Sequence, residues 1–293
     1  MEIKRRSVIK SLFLSPMLTI KTNGLGKTQN IPKRKLSLNA FSFNKQLING
    51  DISLEDLLVW CNQQGFDGID ITGYYFKNYP NVPSDMDIYK VKRLAHSLGL
   101  SISGTGVRND FSLPSFSDRV KEIELVKNWV DVAHKLGAPV LRIFSGKKIP
   151  DGHTWKQVAD WMITDIKTCV QYAQEKGVII GLQNHNEFIK TLEQYEYIQN
   201  GIGSNWFGLV LDIGSFRQGN SYKEIQAAIP YAVNWQLKER MYINGQEQKT
   251  DYKKLMEIIK SSSYQGFLPI ETLGEGDPKV KVKQMLSELK PYW

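Results

Sequence analysis

The chain has 293 residues but only two cysteines and four histidines, and that scarcity excludes several protein classes. Cys61 and Cys169 lack CxxC spacing and fall inside predicted helices. They are therefore expected as core residues, not as a disulfide or half of a zinc site. Four histidines are too few for a multi-zinc hydrolytic centre, and two of them, His96 and His134, fall in predicted helices where a structural role is expected. No GxGxxG follows the first predicted strand, so a dinucleotide-binding fold has no support. No low-complexity linker divides the chain. No apolar run is long enough to cross a bilayer, because a spanning helix needs about 20 such residues. No stable membrane span is expected.

Charge of one sign is also missing from most of the chain. The net charge is +8, from 38 basic and 30 acidic residues. Residues 1–35 hold nine of the basic residues and a single acid, Glu2. The remainder has 29 of each, so it is neutral. A nucleic-acid-binding domain carries its basic excess on the folded part, and no nucleic-acid partner is expected here. The leader contains Arg5-Arg6-Ser7-Val8-Ile9-Lys10 followed by a modestly apolar stretch over 11–20. This resembles a twin-arginine export signal. Residues 1–35 are expected to be a signal processed somewhere between 22 and 35, which would place the protein in the periplasm. A disordered basic tail on a cytoplasmic protein is the alternative. No cysteine near the leader offers a lipid anchor.

What the chain does have is alternation. Strand-like segments are predicted at 36–43, 68–72, 101–104, 140–144, 178–183, 207–212, 233–237 and 266–271. Helices are predicted at 53–64, 86–97, 117–136, 154–176, 192–200, 222–229, 251–262 and 278–289. Ser53 starts the first helix as N-cap, with Asp56 three residues on. Gly65, Gly99, Gly137 and Gly177 each follow a helix, where a left-handed residue stops it. Eight strand–helix units favour one closed (β/α)8 barrel over 36–293, an α/β fold, rather than an open doubly wound sheet. The length suits a single such barrel, typically about 250 residues.

The strands also finish alike. Those ending at Gln183, Asp212, Gln236 and Glu271 are apolar runs closed by one polar side chain. Side chains alternate along a strand, so parity sorts them by face. Gln183 shares a face with His185, Asp70 with Thr72, Arg142 with Val140 and Phe144, and Asn234 with Gln236 and Lys238. The inward set at the C-terminal strand ends is Asp70, Arg142, Gln183, His185, Asp212, Gln236, Lys238 and Glu271. Burying so many acids and bases is costly unless they serve a ligand or one another, and the C-terminal mouth is where barrels of this class carry active sites.

In these motifs the chain resembles the xylose isomerase-like barrels, the sugar phosphate isomerase/epimerase superfamily. The resemblance covers about residues 36–289. It rests on Gln183-Asn184-His185 where the family has Glu-Asn-His, and on Asp212-Ile213-Gly214-Ser215 where it has Asp-x-Gly-Asn or Asp-x-Gly-His. Gln236-Leu237-Lys238-Glu239 stands for His-x-Lys-Asp, and Ile270-Glu271 for the final apolar–Glu pair. The resemblance implies an isomerase, epimerase or lyase/hydratase acting on a sugar or keto-sugar through an enediolate. It also implies one divalent metal held at Gln183, Asp212, Gln236 and Glu271.

Two of those four positions depart from the family. Gln183 and Gln236 replace a Glu and a His, so the ligand charge falls from −3 to −2. Amide oxygens suit Mg, Mn or Ca better than Zn. An amide accepts no proton, which leaves Glu271 as the base. His185 is expected as its catalytic partner or as a loop-orienting group. Lys238 is expected to stabilise an enolate oxygen or to pair with Asp212 or Glu239. Arg142, Asp70, His153 and Tyr74 are candidate substrate contacts, and Tyr74 to Phe76 are the best placed to stack on a sugar. With no metal, Asp212 and Glu271 would face each other and one carboxyl would be pushed up. The competing reading is a catalytically weakened barrel that binds carbohydrate or partners another subunit. An apurinic-endonuclease-like nuclease is disfavoured by the few histidines and the neutral domain. The oligomeric state is open, and a homo-oligomer is compatible with the sequence.

Overall fold

Eight parallel strands close on themselves, and the reason is visible in the first and last of them. In the computed structural model, which describes residues 34–185 and 187–293, β1 (Lys35–Asn39) pairs with β2 (Gly68–Thr72) on one side and with the last strand on the other. The remaining strands are β3 (Ser101–Gly106), β4 (Val140–Ile143), β5 (Ile179–Gln183), β6 (Phe207–Asp212) and β7 (Ala232–Lys238). A short antiparallel hairpin, β8 (Arg240–Ile243) with β9 (Gln246–Lys249), follows, and β10 (Phe267–Glu271) ends the series. Around the barrel the order is β1-β10-β7-β6-β5-β4-β3-β2. The predicted leader lies outside the described residues, except that Arg34 and Lys35 belong to the compact unit Arg34–Trp293.

The helices are α1 (Asn44–Asn49), α2 (Leu54–Gln63), α3 (Asp85–Ser97), α4 (Phe116–Leu136), α5 (Trp155–Glu175), α6 (Leu192–Ile202), α7 (Ser221–Ala228), α8 (Tyr252–Lys260) and α9 (Pro278–Leu289). Local chemistry sets their ends. Ser53 and Asp56 form a reciprocal capping box at the start of α2, which satisfies two of its orphan N–H groups. Gly137 ends α4 at φ 78° with its N–H on the carbonyls of Ala133 and His134, a conformation that costs a residue with a Cβ. Strands β2 and β6 are buried along their whole length, as expected when helices cover one face and the barrel interior the other. The core includes fully buried Trp129 and Trp235, and both cysteines are free and buried within it. No helix among the described residues is long and apolar enough to cross a membrane.

Three features differ from the sequence expectation. The first strand stops at Asn39, not at 43. The Asn39 side chain accepts a bond from the Phe41 N–H and turns Ala40–Phe43 into a 3-10 helix. Phe43 therefore packs on Trp60 in the core and does not face the mouth. Helix α1 and the β8–β9 hairpin are additions that alternation alone did not predict.

Candidate active site

The strand register brings the polar ends together. Asp212 is opposite Gln236 on neighbouring strands, and Glu271 is opposite Lys238. Gly106 is opposite Arg142, and Gly104 opposite Asp70. These two glycines of β3 make room for the charges. A Cβ on Gly104 would lie 2.5 Å from Asp70 Oδ2, and one on Gly106 would lie 2.7 Å from Arg142 Nε. Only a residue without a side chain lets both groups fold inward.

All eight inward residues line one two-lobed cleft. The first lobe, about 180 Å³, is bordered by Asp70, Tyr74, Arg108, Arg142, Phe144 and Gln183, among others. The second, about 220 Å³, is bordered by Asp212, Ser215, Arg217, Arg240, Tyr242 and Glu247. His185, Lys238, Glu271 and Leu273 belong to both. A larger hollow of about 500 Å³ beside α1 and the β10–α9 loop contains none of the eight.

The centre of the cleft is a cation. Lys238 Nζ donates to Asp212 Oδ2 at 2.8 Å and lies 3.0 Å from Glu271 Oε2. The second contact is electrostatic and lacks hydrogen-bond geometry, so Oε2 has no formal partner. Asp212 is fully buried. Burial pushes its carboxyl up, but the Lys238 ammonium and an N–H bond from Gly214 outweigh that and hold it below the usual carboxylate range. Burial works against the Lys238 charge, yet the two carboxylates raise its pKa and keep it protonated. The expected repulsion between Asp212 and Glu271 therefore does not arise, because the ammonium lies between them. Glu239, the other expected partner of Lys238, pairs with Lys281 instead.

The two glutamines complete the floor. Gln183 Nε2 donates to Asp212 Oδ2 (2.9 Å) and to Gln236 Oε1 (2.8 Å). A carboxylate only accepts, so the Gln183 NH2 must be the group that faces it. Gln183 Oε1 is buried without a partner. Asn184 clamps the Asp212 backbone, accepting from its N–H at 2.8 Å and donating to its carbonyl at 3.1 Å. Its part in the Gln-Asn-His stretch is to hold the end of β6 in register.

The far wall is built by Arg142. It donates to the Val107 carbonyl (2.8 Å) and the Tyr74 hydroxyl (2.5 Å), and lies 4.1 Å over the Phe144 ring. The His185 ring meets Phe144 edge-on at 5.3 Å, and its Nδ1 is 3.4 Å from Glu187. Asp70 accepts from Asn234 Nδ2 at 2.8 Å. Burial raises its pKa to about 6 against the opposing pull of Arg142 and Asn234, and the Glu271 charge adds to the rise.

The other sequence expectations separate cleanly. Tyr74 faces the cleft. Tyr75 turns to Asn44 of α1, and Phe76 is buried against Trp129, so neither is placed to stack on a sugar. His153 is exposed and rests edge-on against Trp161, outside the residues lining the cleft. It touches no other site residue because the loop that carries it is held on α5. Parity places Asn234 on the inward face, but only the structure reveals its bond to Asp70. Arg108, over the Tyr74 ring at 4.9 Å, and Arg217, Arg240 and Tyr242 were not anticipated. They sit in loops and the hairpin, where alternation carries no signal.

The divalent metal implied by the resemblance does not fit this donor set. An ion would need oxygens at about 2.0–2.6 Å. Gln183 presents N–H donors to its two neighbours, and Asp212 Oδ2 already accepts from both Gln183 and Lys238. A divalent ion between the carboxylates would stand against the ammonium.

A closed parallel barrel with its polar groups at the C-terminal mouth defines a (β/α)8 protein of the TIM-barrel class. Residues 58–292 match the pattern of the xylose isomerase-like TIM barrels, and the chain belongs to that family. No curated protein matches it in sequence. Among solved structures it is similar to a 3-keto-D-glucoside 4-epimerase from E. coli, with TM-score 0.71 and 14% identity over 88% of this chain and 100% of that one. It is also similar to a D-psicose 3-epimerase from Clostridium cellulolyticum, solved with D-tagatose (TM-score 0.70, 17% identity, 88% and 96% covered). A probable 3-DHS dehydratase from Bacillus anthracis is a third (TM-score 0.69, 17% identity, 87% and 97% covered). At these identities the likeness is one of fold.

Proposed function

We propose that the protein acts on a keto-sugar by moving the proton on the carbon next to the carbonyl. Glu271 is the base, and its position carries this reading: a buried carboxylate at the end of β10, in contact with an ammonium, at the junction of both lobes. Lys238 touches Oε2, so Oε1 is the oxygen that takes the proton. The C–H pair moves into the C–C bond and the carbonyl pair onto oxygen, giving an enediolate. Lys238, protonated and acting as a hydrogen-bond donor, faces that oxygen. Return of a proton to the opposite face gives an epimer, return at the neighbouring carbon an isomer, and loss of a β-substituent a dehydrated product. His185 borders both lobes and is the group to deliver the second proton. Asp70, Arg142 and Tyr74 hold hydroxyls and one ring face. No step is assigned to Mg, Mn or Ca, because the Lys238 ammonium occupies the place between Asp212 and Glu271 that such an ion would take.

The two lobes favour a glycoside over a free monosaccharide. A keto-sugar ring beside Asp70 and Arg142 would leave its substituent in the lobe of Arg217, Arg240 and Tyr242. Export by the leader at 1–35 would give the enzyme unphosphorylated substrates of this kind in the periplasm.

The test is proton exchange. Full-length protein is incubated in D2O with 3-keto-glycosides, ketohexoses and unoxidised disaccharides, and deuterium at the carbon next to the carbonyl is followed by NMR. Exchange with the keto-sugars, lost in Glu271→Gln, supports the proposal. Sugar binding without exchange would favour the binding-only barrel, for which the amides at 183 and 236, with Gln183 bonded to both Gln236 and Asp212, are the motive.

A further inference from the structure

We infer that the Lys238 side chain is the built-in replacement for the family's divalent cation, so that the site works with a covalently attached single positive charge and no metal. Three observations meet at one point. The ammonium is within 2.8 and 3.0 Å of Asp212 and Glu271, the two anionic residues among the expected metal ligands. The other two expected ligands are neutral amides, and one of them turns its NH2 toward the same carboxylate oxygen that the ammonium touches. Finally, the lysine stem is given its path by Gly214, where a Cβ would come within 3.1 Å of Lys238 Cδ.

The charge count shows what the missing strand-5 carboxylate does to the site. Three anionic ligands balance a dication with one negative charge left over. Two anionic ligands balance one ammonium with the same charge left over. The lysine itself stands where the family's His-x-Lys-Asp stretch has one, so the change in this chain is the loss of the strand-5 carboxylate, which leaves two carboxylates that one ammonium in contact with both can serve. It also changes the chemistry available. A divalent ion polarises a carbonyl as a Lewis acid at fixed coordination distances, whereas an ammonium offers directed N–H donors. Lys238 Nζ has three N–H donors, and Asp212 takes one. A sugar carbonyl entering between the lobes meets a hydrogen-bond donor backed by two carboxylates. The inference concerns the resting site and needs no assumption about the substrate, so it can fail while the proton-transfer reading stands, and the reverse.

The experiment uses the full chain and simple chloride salts of Mn, Mg, Ca, Co and Zn. Wild type is equilibrated with each, dialysed and measured by elemental analysis, and its melting temperature is recorded with and without the salts. The expected result is no stoichiometric ion and no shift in melting temperature. The variant Lys238→Met leaves two facing carboxylates without a counter-charge. It is expected to melt lower than wild type and to recover on addition of Mn or Ca. One divalent ion per wild-type chain, lost in Asp212→Ala, would overturn the inference. So would a Lys238→Met protein as stable as wild type and indifferent to every salt. If Lys238→Met does not fold, Lys238→Met combined with Glu271→Gln removes the facing charges. A folded double variant supports the cation role, and an unfolded one counts against it.

Discussion

Two aspartates in the same barrel mouth are driven in opposite directions by their neighbours. Asp70 is buried with no ammonium in contact, and burial lifts its pKa to about 6 from 3.8. The folded state therefore binds this proton more tightly than the unfolded chain. Stability from that proton is fully present below the ordinary carboxylate value and is lost as pH rises through about 6. Over that window the loss amounts to roughly 3 kcal/mol. Asp70→Asn keeps an oxygen to accept from Asn234 and does not titrate. Urea unfolding should find it more stable than wild type at pH 8, with the gap closing below pH 4. An equal gap at both pH values would sink this account. Asp212 is the reverse case, since its pKa is held down by Lys238. Its stabilisation is present above the unfolded value and disappears as pH falls through the depressed folded value. Asp212→Asn should cost about 1.5–3 kcal/mol at neutral pH, the loss of one charge-assisted bond, since Lys238 keeps Glu271 as its other partner. The penalty should shrink in acid. That Asp70 persists in so expensive a place is consistent with its use as a ligand for a sugar hydroxyl.

At the scale of elements, β3 and the β8–β9 hairpin decide what the cleft accepts. Gly106→Ala would place a methyl against the Arg142 guanidinium, which is pinned by Val107 and Tyr74. The expected result is a KM raised about tenfold or more, the effect of losing ~1.4 kcal/mol of binding, with the fold retained by circular dichroism. An unchanged KM would mean Arg142 does not contact substrate. The hairpin carries Arg240 and Tyr242 into the second lobe, and the Arg240–Glu247 contact of 2.7 Å ties its two strands. Tyr242→Ala should raise KM for glycosides and leave monosaccharides nearly untouched. Equal effects on both would remove the two-lobe reading. These elements also mark where the sequence was legible. The barrel strands at 68–72 and 207–212 and the last helix were read to the residue, because apolar runs, caps and helix-ending glycines are local signals. The eight inward residues followed from parity on four strands and from the polar residues that close the C-terminal ends of the others. The hairpin was invisible because β9 is exposed throughout and polar, Gln246–Lys249. The ammonium bridge was open between two partners because parity puts Lys238 on the right face but does not fix where a four-carbon stem ends.

Closure is a property of the whole molecule and rests on its two ends. Strand β1 is separated from β10 by about 230 residues of chain, so their pairing is the contact with the largest loop-closure cost. The strand ladder from Lys35–Phe267 to Leu38–Ile270 makes the seam, and side chains just outside the strands reinforce it. Arg34 donates from Nη2 to the Ile259 carbonyl in α8 at 3.0 Å, and Trp293 Nε1 donates to the Arg34 carbonyl at 3.2 Å. The last residue is thus fastened to the residue before the first strand, and both pack beside the helix that precedes β10. The active site depends on this latch, since β10 supplies Glu271 and β1 supplies Asn39 at the rim of the first lobe. Trp293→Ala removes the bond and part of a half-buried ring. A loss of about 1–2 kcal/mol is expected, which for a barrel of this size lowers the melting temperature by roughly 2–6 °C. Hydrogen exchange should locate the loosening. Amides of β1 and β10 should exchange faster in the variant while those of β4 and β5, on the opposite side of the barrel, keep their protection. Uniform acceleration in all eight strands would mean that closure is not the weak seam and that the barrel opens only as a unit.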